Sequence, residues 1–247
     1  MAMDTSKSIS VDGHGEATSS CWSCGDMRAA QFCKACGKVQ PPAPVDYFAF
    51  FGMPRKLNVD VARLEREFYD LSRKLHPDLN ARADKREQEW SLEQSSLLND
   101  AYRTLKDPIK RTQYLLGLEG VELEEQSKSA TEKARAAGEV KKQIVPPDLL
   151  EEVFELNMQL EEARMNKKMG EDDPALVKDL EGHKAAFENK NNELSQELKG
   201  HWDGWDQALE TGNGDARHRA LDGMVDLLNR RSYIRNLVRD VNEALGN

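Results

Sequence analysis

Several features are scarce in this chain of 247 residues, and each scarcity removes a class of function. No apolar run approaches the ~20 residues that cross a bilayer, so no membrane role is expected. Positive charge is in deficit, with 35 Lys and Arg against 44 Asp and Glu and a net charge of -9. Attraction to phosphate needs clustered positive charge, so no nucleic-acid partner is expected and protein partners are favoured. There is no GxxxxGK[ST] loop, so the chain is not itself such an ATPase. Cysteine is absent beyond Cys36, and the rest of the chain offers no thiolate to a metal centre. The first twenty residues lack both the apolar core of a secretory signal and the Arg-rich amphipathic character of a mitochondrial presequence. A disordered N-terminus over 1–20 and a bacterial cytoplasmic location are expected, with the mitochondrial matrix as the alternative for a eukaryotic source.

What is present is the balance of a helical protein of one large or two modest domains, 32% charged and 38% hydrophobic. All four cysteines fall within sixteen residues, as Cys21-Trp-Ser-Cys24 and, after eight residues, Cys33-Lys-Ala-Cys36. Gly25 and Gly37 follow the second cysteine of each pair. Thiolates on two tight turns can converge on one tetrahedral ion, and glycine tolerates the positive φ that closes such a turn. Two disulfides are disfavoured by a reducing cytoplasm. A redox pair or an iron site are further rivals, and a thiol oxidoreductase is the enzymatic alternative. Two closely spaced pairs favour structural Zn2+ in a module over 21–40, too small to fold without its ion.

Pro41, Pro42 and Pro44 read as a stiff spacer. The next stretch, 45–118, reads as four helices. The first is short, capped by Asp46 and carrying Tyr47, Phe48 and Phe51. The second bears Val61, Leu64, Phe68, Leu71 and Leu75 on one stripe and Arg63, Arg66, Arg73 and Lys74 outward, and it is stopped at His76-Pro77-Asp78. The third runs from about Asp84 with Trp90, Leu97, Ala101 and Leu105 near one face, antiparallel to the second. The fourth opens at Asp107-Pro108. Residues 119–145 read as a linker. From Pro146 to the end three more helices are expected. The first has a core stripe of Leu149, Val153, Leu156, Leu160 and Ala163, beside a second stripe of Leu150, Phe154 and Met158. The second carries Leu176, Leu180, His183, Phe187, Leu194, Leu198, Trp205 and Leu209, with an interruption around Asn191 and Gly200. The third carries Met224, Leu227, Ile234, Val238, Val241 and Leu245. His183 is expected to be a packed core histidine, with no partner ligand at metal spacing.

The order DYFAFFG, LHPD, LLNDAYRTL and DPIKRTQYLL resembles a J-domain over Val45 to Leu118. The resemblance implies that His76, Pro77 and Asp78, assisted by Arg73 and Lys74, contact a DnaK/HscA-class ATPase chaperone and stimulate its ATP hydrolysis. With the tetracysteine module before it and a three-helix bundle after it, the chain resembles the HscB-type co-chaperones of iron-sulfur cluster biogenesis. The fold class expected is therefore all-α, a four-helix J-domain joined to a C-terminal three-helix bundle over 146–247, with a small N-terminal zinc-binding module. The resemblance further implies a non-enzymatic adaptor whose bundle binds the iron-sulfur cluster scaffold protein through Leu150, Phe154, Glu155, Met158 and Glu162, with Tyr233 of the last helix. Here Glu151 stands where the family usually has an apolar side chain, and Met158 where it often has an acid. The alternative is a J-protein for other clients, with the bundle as a generic or dimerising arm and self-association as its consequence.

Overall fold

A computed structural model of the protein describes residues 20–27, 30–121, 123 and 145–246. Among the described residues there are seven α-helices and no strand, the one β-type contact being an isolated antiparallel bridge between Phe32 and Val39. The expectation of an all-α fold is met. The expected disordered segment 1–20 and the linker 119–145 fall almost entirely outside the described residues. The chain divides into two compact units, Met1–Leu115 and Leu116–Asn247.

In the first unit each helix begins where a short acidic side chain can accept from an exposed backbone N–H. Asp46 accepts from Ala49 to start α1 (Tyr47–Phe50), Asp60 from Arg63 to start α2 (Val61–Leu75), and Asp84 from Glu87 to start α3 (Lys85–Lys106). Asp107 accepts from Ile109 and Lys110 at the head of α4 (Pro108–Leu118), where proline lacks the donor the cap would have to satisfy. Helices α2 and α3 run antiparallel: Leu75 meets Ser91 and Ser95, Phe68 stacks on Tyr102 at 4.1 Å, and Glu65 meets Tyr102 and Lys106. Leu64, Leu71 and Leu75 face Leu98, Ala101 and Leu105 in the core, with Phe48, Leu57 and Leu115 completing it. Burial of each large apolar side chain contributes about 1.5–3 kcal/mol. The backbone N–H of Tyr47 donates to Tyr114 Oη at 3.0 Å and the two rings stack, which ties α4 to α1.

Two expectations about these helices are corrected. Val61 is exposed and does not continue the core stripe of α2. On α3 the buried residue is Leu98, with Leu97 half-buried. Steps of four from 97 to 101 to 105 drift around a 3.6-residue helix, whereas 98, 101, 105 alternates three and four and stays on one face. Extended backwards, that face is Gln94, Ser91 and Glu87, all buried, so half of the core stripe of α3 is polar.

The second unit is a three-helix bundle. After a 3-10 turn over Pro147–Leu149 come α5 (Leu150–Met169), α6 (Pro174–Thr211) and α7 (Gly214–Leu245). Gly170 and Gly212 end α5 and α6 in the left-handed conformation. Leu149, Val153, Leu156 and Leu160 are buried as expected, with Ala163 half-buried. Glu152 pairs with Lys190 of α6, and Asp148 with Arg230 of α7. Helix α6 runs as one helix through Asn191 and Gly200, where its apolar stripe is interrupted. Its stripe includes Trp202, buried beside Trp205. On α7 Leu237 rather than Val238 lies in the core, and His183 sits half-buried with its ring 6.3 Å from Phe187. Helices α6 and α7 approach closely at Gly223, where a Cβ would lie 2.1 Å from the His201 ring.

Candidate functional site

Three places bear the residues singled out in the sequence. The first is the end of α2. His76 has extended backbone, the conformation a following proline imposes, and the helix stops there. Its side chain and that of Asp78 point to solvent. The Asp78 N–H donates to His76 Nδ1 at 3.2 Å and Asp78 Oδ2 lies 3.7 Å from the same nitrogen, so imidazole and carboxylate face solvent side by side.

The last carbonyls of a helix lack intrahelical donors and need other partners. Here each has one. Asn80 Nδ2 lies 3.3 Å from Lys74 O and 3.1 Å from His76 O, while Ser91 and Ser95 Oγ donate to Leu75 O at 2.7 and 2.6 Å. Asn80 also reaches Ser91 Oγ at 3.2 Å. Sequence reasoning missed these clamps. The signal available for them was the run of Ser91, Gln94 and Ser95 on a stripe that should have been apolar. Arg73 is exposed and paired with Asp70 at 2.6 Å. Lys74 lies with Nζ 4.5 Å from the centre of the Phe32 ring, so of the two basic residues only Arg73 projects away from the tetracysteine module.

The second place is that module, which belongs to the same compact unit as α1 to α3. Cys21, Cys24, Cys33 and Cys36 bring their sulfurs within 4.8 Å of one another. Cys21 Sγ is 3.7 Å from Cys36 Sγ and Cys24 Sγ is 3.6 Å from Cys33 Sγ, with none in a disulfide. Four thiolates at the 2.3 Å zinc–sulfur distance of a tetrahedron stand roughly 3.8 Å apart, so the donor set fits such an ion. Two matched turns build it: Gly25 N–H donates to Cys21 O and Gly37 N–H to Cys33 O, each glycine at positive φ as expected. Burial raises the Cys21 thiol, but N–H donation from Cys24 and Ser23 outweighs it and brings the group down to about 6. Cys24 has a lowering contact from the Asp26 backbone, yet sharing with Cys33 and Cys36 pushes it up to about 12.

The third place is the outward face of α5. Leu150, Phe154 and Met158 are exposed, Phe154 at 66%, with Glu155 and Glu162 exposed beside them. Met165 and Met169 continue the strip along a shallow groove with Asn157 and Asn166. They were not anticipated, although their spacing of seven and eleven from Met158 keeps them on the same face. Tyr233 is different: it is 8% exposed on α7, and burial pushes its hydroxyl pKa up. It is mostly covered within the bundle, unlike the side chains of the strip.

Residues 46–114 match the DnaJ domain family. The human protein named iron-sulfur cluster co-chaperone protein HscB is 34% identical over 172 residues, which cover 66% of this chain and 67% of that protein. The chain belongs to the HscB family of iron-sulfur cluster co-chaperones. The HscB homolog of Arabidopsis thaliana is 35% identical over 149 residues, 60% of this chain and 53% of its own length. The mouse HscB is 40% identical over 111 residues, 42% of this chain and 47% of its own length. The chain thus spans about half the length of these last two relatives. The crystal structure of human co-chaperone protein HscB resembles this fold with a TM-score of 0.58 at 25% identity, over 90% of this chain and 96% of that one. The resemblance drawn from DYFAFFG, LHPD and the flanking modules is borne out at the level of the family. Among the described residues no helix of this HscB-family chain is long and apolar enough to cross a membrane.

Proposed function

We propose that this HscB-family protein is an adaptor that brings an iron-sulfur cluster scaffold protein to a DnaK/HscA-class chaperone and stimulates that chaperone's ATPase. The observation that carries the reading is the His76-Pro77-Asp78 tip, exposed at the end of α2 with the carbonyls of Lys74, Leu75 and His76 tied down. Proline fixes the spacing of the imidazole and the carboxylate, so a partner meets both in one geometry. Asp78 is placed to accept a charge-assisted hydrogen bond from an arginine, and Arg73 adds attraction to an acidic surface. The chemistry on this side is recognition, while hydrolysis takes place in the chaperone.

At the other end, the apolar strip of Leu150, Phe154 and Met158, rimmed by Glu155 and Glu162, is proposed to hold the scaffold. Exposed apolar anchors inside a polar rim are the usual composition of an interface core. The metal held by Cys21, Cys24, Cys33 and Cys36 is proposed to be structural Zn2+. With four protein thiolates its shell is closed, and it supplies folding free energy to a module with little core of its own.

The test is turnover of ATP by the chaperone with this protein and the scaffold added singly and together. The reading expects the largest rate with both present. An equal rate with and without the scaffold would remove scaffold delivery, and no stimulation by either would remove the whole proposal.

A further inference from the structure

The tetracysteine module is docked onto the polar part of the α3 stripe. Gln94, 2% exposed, donates its side-chain amide to Gln40 O at 2.7 Å and lies 3.2 Å from Gln31 O. Lys38 pairs at 2.5 Å with Glu87, itself 2% exposed. The Trp22 ring meets Trp90 edge-on at 5.7 Å. The three anchor points on α3 are therefore Glu87, Trp90 and Gln94, and Ser91 stands among them on the same buried face. Ser91 donates to Leu75 O and receives Asn80 Nδ2, two of the contacts that hold the carbonyl end of α2 and the turn bearing the tripeptide. A second, direct link is Lys74, whose Nζ lies over Phe32, next to Cys33 in sequence.

We infer that the metal-loaded module is a positioning element for His76-Pro77-Asp78, acting through Gln94 and Glu87 on Ser91 and from there on Asn80. Gln31 and Gln40 flank the second cysteine pair, where the Gln40 N–H donates to Gln31 O at 3.0 Å beside the Phe32–Val39 bridge, and this closure sets their two carbonyls at one amide group. Among its described residues the module buries only Cys21, Cys33, Val39 and Gln40, so its shape depends on the ion. When the ion leaves, Gln94 and Glu87 lose fixed partners inside a packed helix face. A buried polar group without its partner is costly, and the N-terminal half of α3 relaxes to re-satisfy it. Ser91 moves with it, and the turn at 76–80 loosens. The coupling is independent of which chaperone the tip meets, and only its consequence for ATPase stimulation rests on the function proposed above.

The experiment records backbone amide resonances and hydrogen exchange for residues 76–81 in the full chain, with zinc bound and after chelation. Loss of about two hydrogen bonds of ordinary strength predicts exchange faster by roughly thirtyfold at Leu79 to Ala81, with shifted resonances. In the zinc-bound double variant Gln94→Ala/Lys38→Met the same amides should already exchange fast, and chelation should change them no further. That variant keeps all four cysteines, so it separates uncoupling from loss of the metal. With the chaperone, it should need more protein for half-maximal stimulation while reaching a similar maximal rate, because the tip is displaced and not removed. Unchanged amides at 76–81 after chelation, while those of 21–40 shift, would overturn the inference. So would a double variant whose tip still responds to metal. If His76→Gln leaves stimulation intact while the amide coupling is present, the function proposal fails and this inference stands.

Discussion

Phe154 and Leu156 are two residues apart on α5 and face opposite ways, which makes them a test of whether the exposed strip is a binding surface or internal packing. Leu156 is 0% exposed and Phe154 66% exposed. Leu156→Ala removes a fully buried side chain and leaves a cavity, at a cost of about 2–5 kcal/mol. Phe154→Ala forfeits only the third of the ring that is covered, roughly 0.5–1 kcal/mol of the 1.5–3 that full burial provides. Alanine's better helix propensity returns about 0.5 kcal/mol of it, so the net change in stability is close to zero. Binding should show the reverse order. An aromatic anchor at the centre of an interface costs at least ~2 kcal/mol when truncated, which is about thirtyfold in affinity. The assay is native-state hydrogen exchange of α6 and α7 amides, which reads the bundle alone, beside titration calorimetry with the scaffold protein. Phe154→Ala that destabilised the bundle as much as Leu156→Ala would mean the strip is packing. Phe154→Ala with wild-type stability and wild-type affinity would move the scaffold surface elsewhere.

Gly223→Ala, which in an open helix gains about 1 kcal/mol, should gain less here because the new methyl meets the far end of the His201 side chain, which has to turn aside. In a His201→Ala background the same substitution should recover the full gain, and urea unfolding of the four proteins checks the difference. Metal analysis should find one ion per chain, released as four thiols are titrated with an organomercurial. A strongly coloured protein would indicate iron in place of zinc. Ser95→Ala removes one of two donors to Leu75 O and leaves Ser91 in place, so it should lower stability by about 1 kcal/mol and leave the resonances of the tripeptide turn nearly unchanged.

Helix boundaries were legible because the caps are local chemistry: Asp46, Asp60, Asp84, Asp107 and Asp173 each precede their helix and accept from it. The cysteine cluster was legible for the same reason, since two Cys-x-x-Cys-Gly turns define their own geometry. The phase of α3 was not, because Glu87, Ser91 and Gln94 occupy a buried stripe that periodicity reads as solvent. Their burial is made tolerable by partners about fifty residues away in the module and sixteen away on α2, and no local pattern announces such partners. Tyr233, assigned to a surface by family likeness alone, is 8% exposed, and its neighbours on α7 at helical spacing, Leu237 and Val241, are also buried. The second apolar stripe of α5 was legible as surplus, more apolar residues than one core face can use, and its extension to Met165 and Met169 follows from the same count.

The central claim is that the exposed tripeptide activates a chaperone ATPase on behalf of a bound scaffold. Single-turnover ATP hydrolysis by a DnaK/HscA-class chaperone, in the presence of saturating scaffold, compares wild type with His76→Gln. His76 is exposed at the end of α2, so the substitution should leave the fold intact. The account predicts a large acceleration by wild type and none by His76→Gln, with the scaffold still bound to the variant. Acceleration by His76→Gln equal to that of wild type would contradict it.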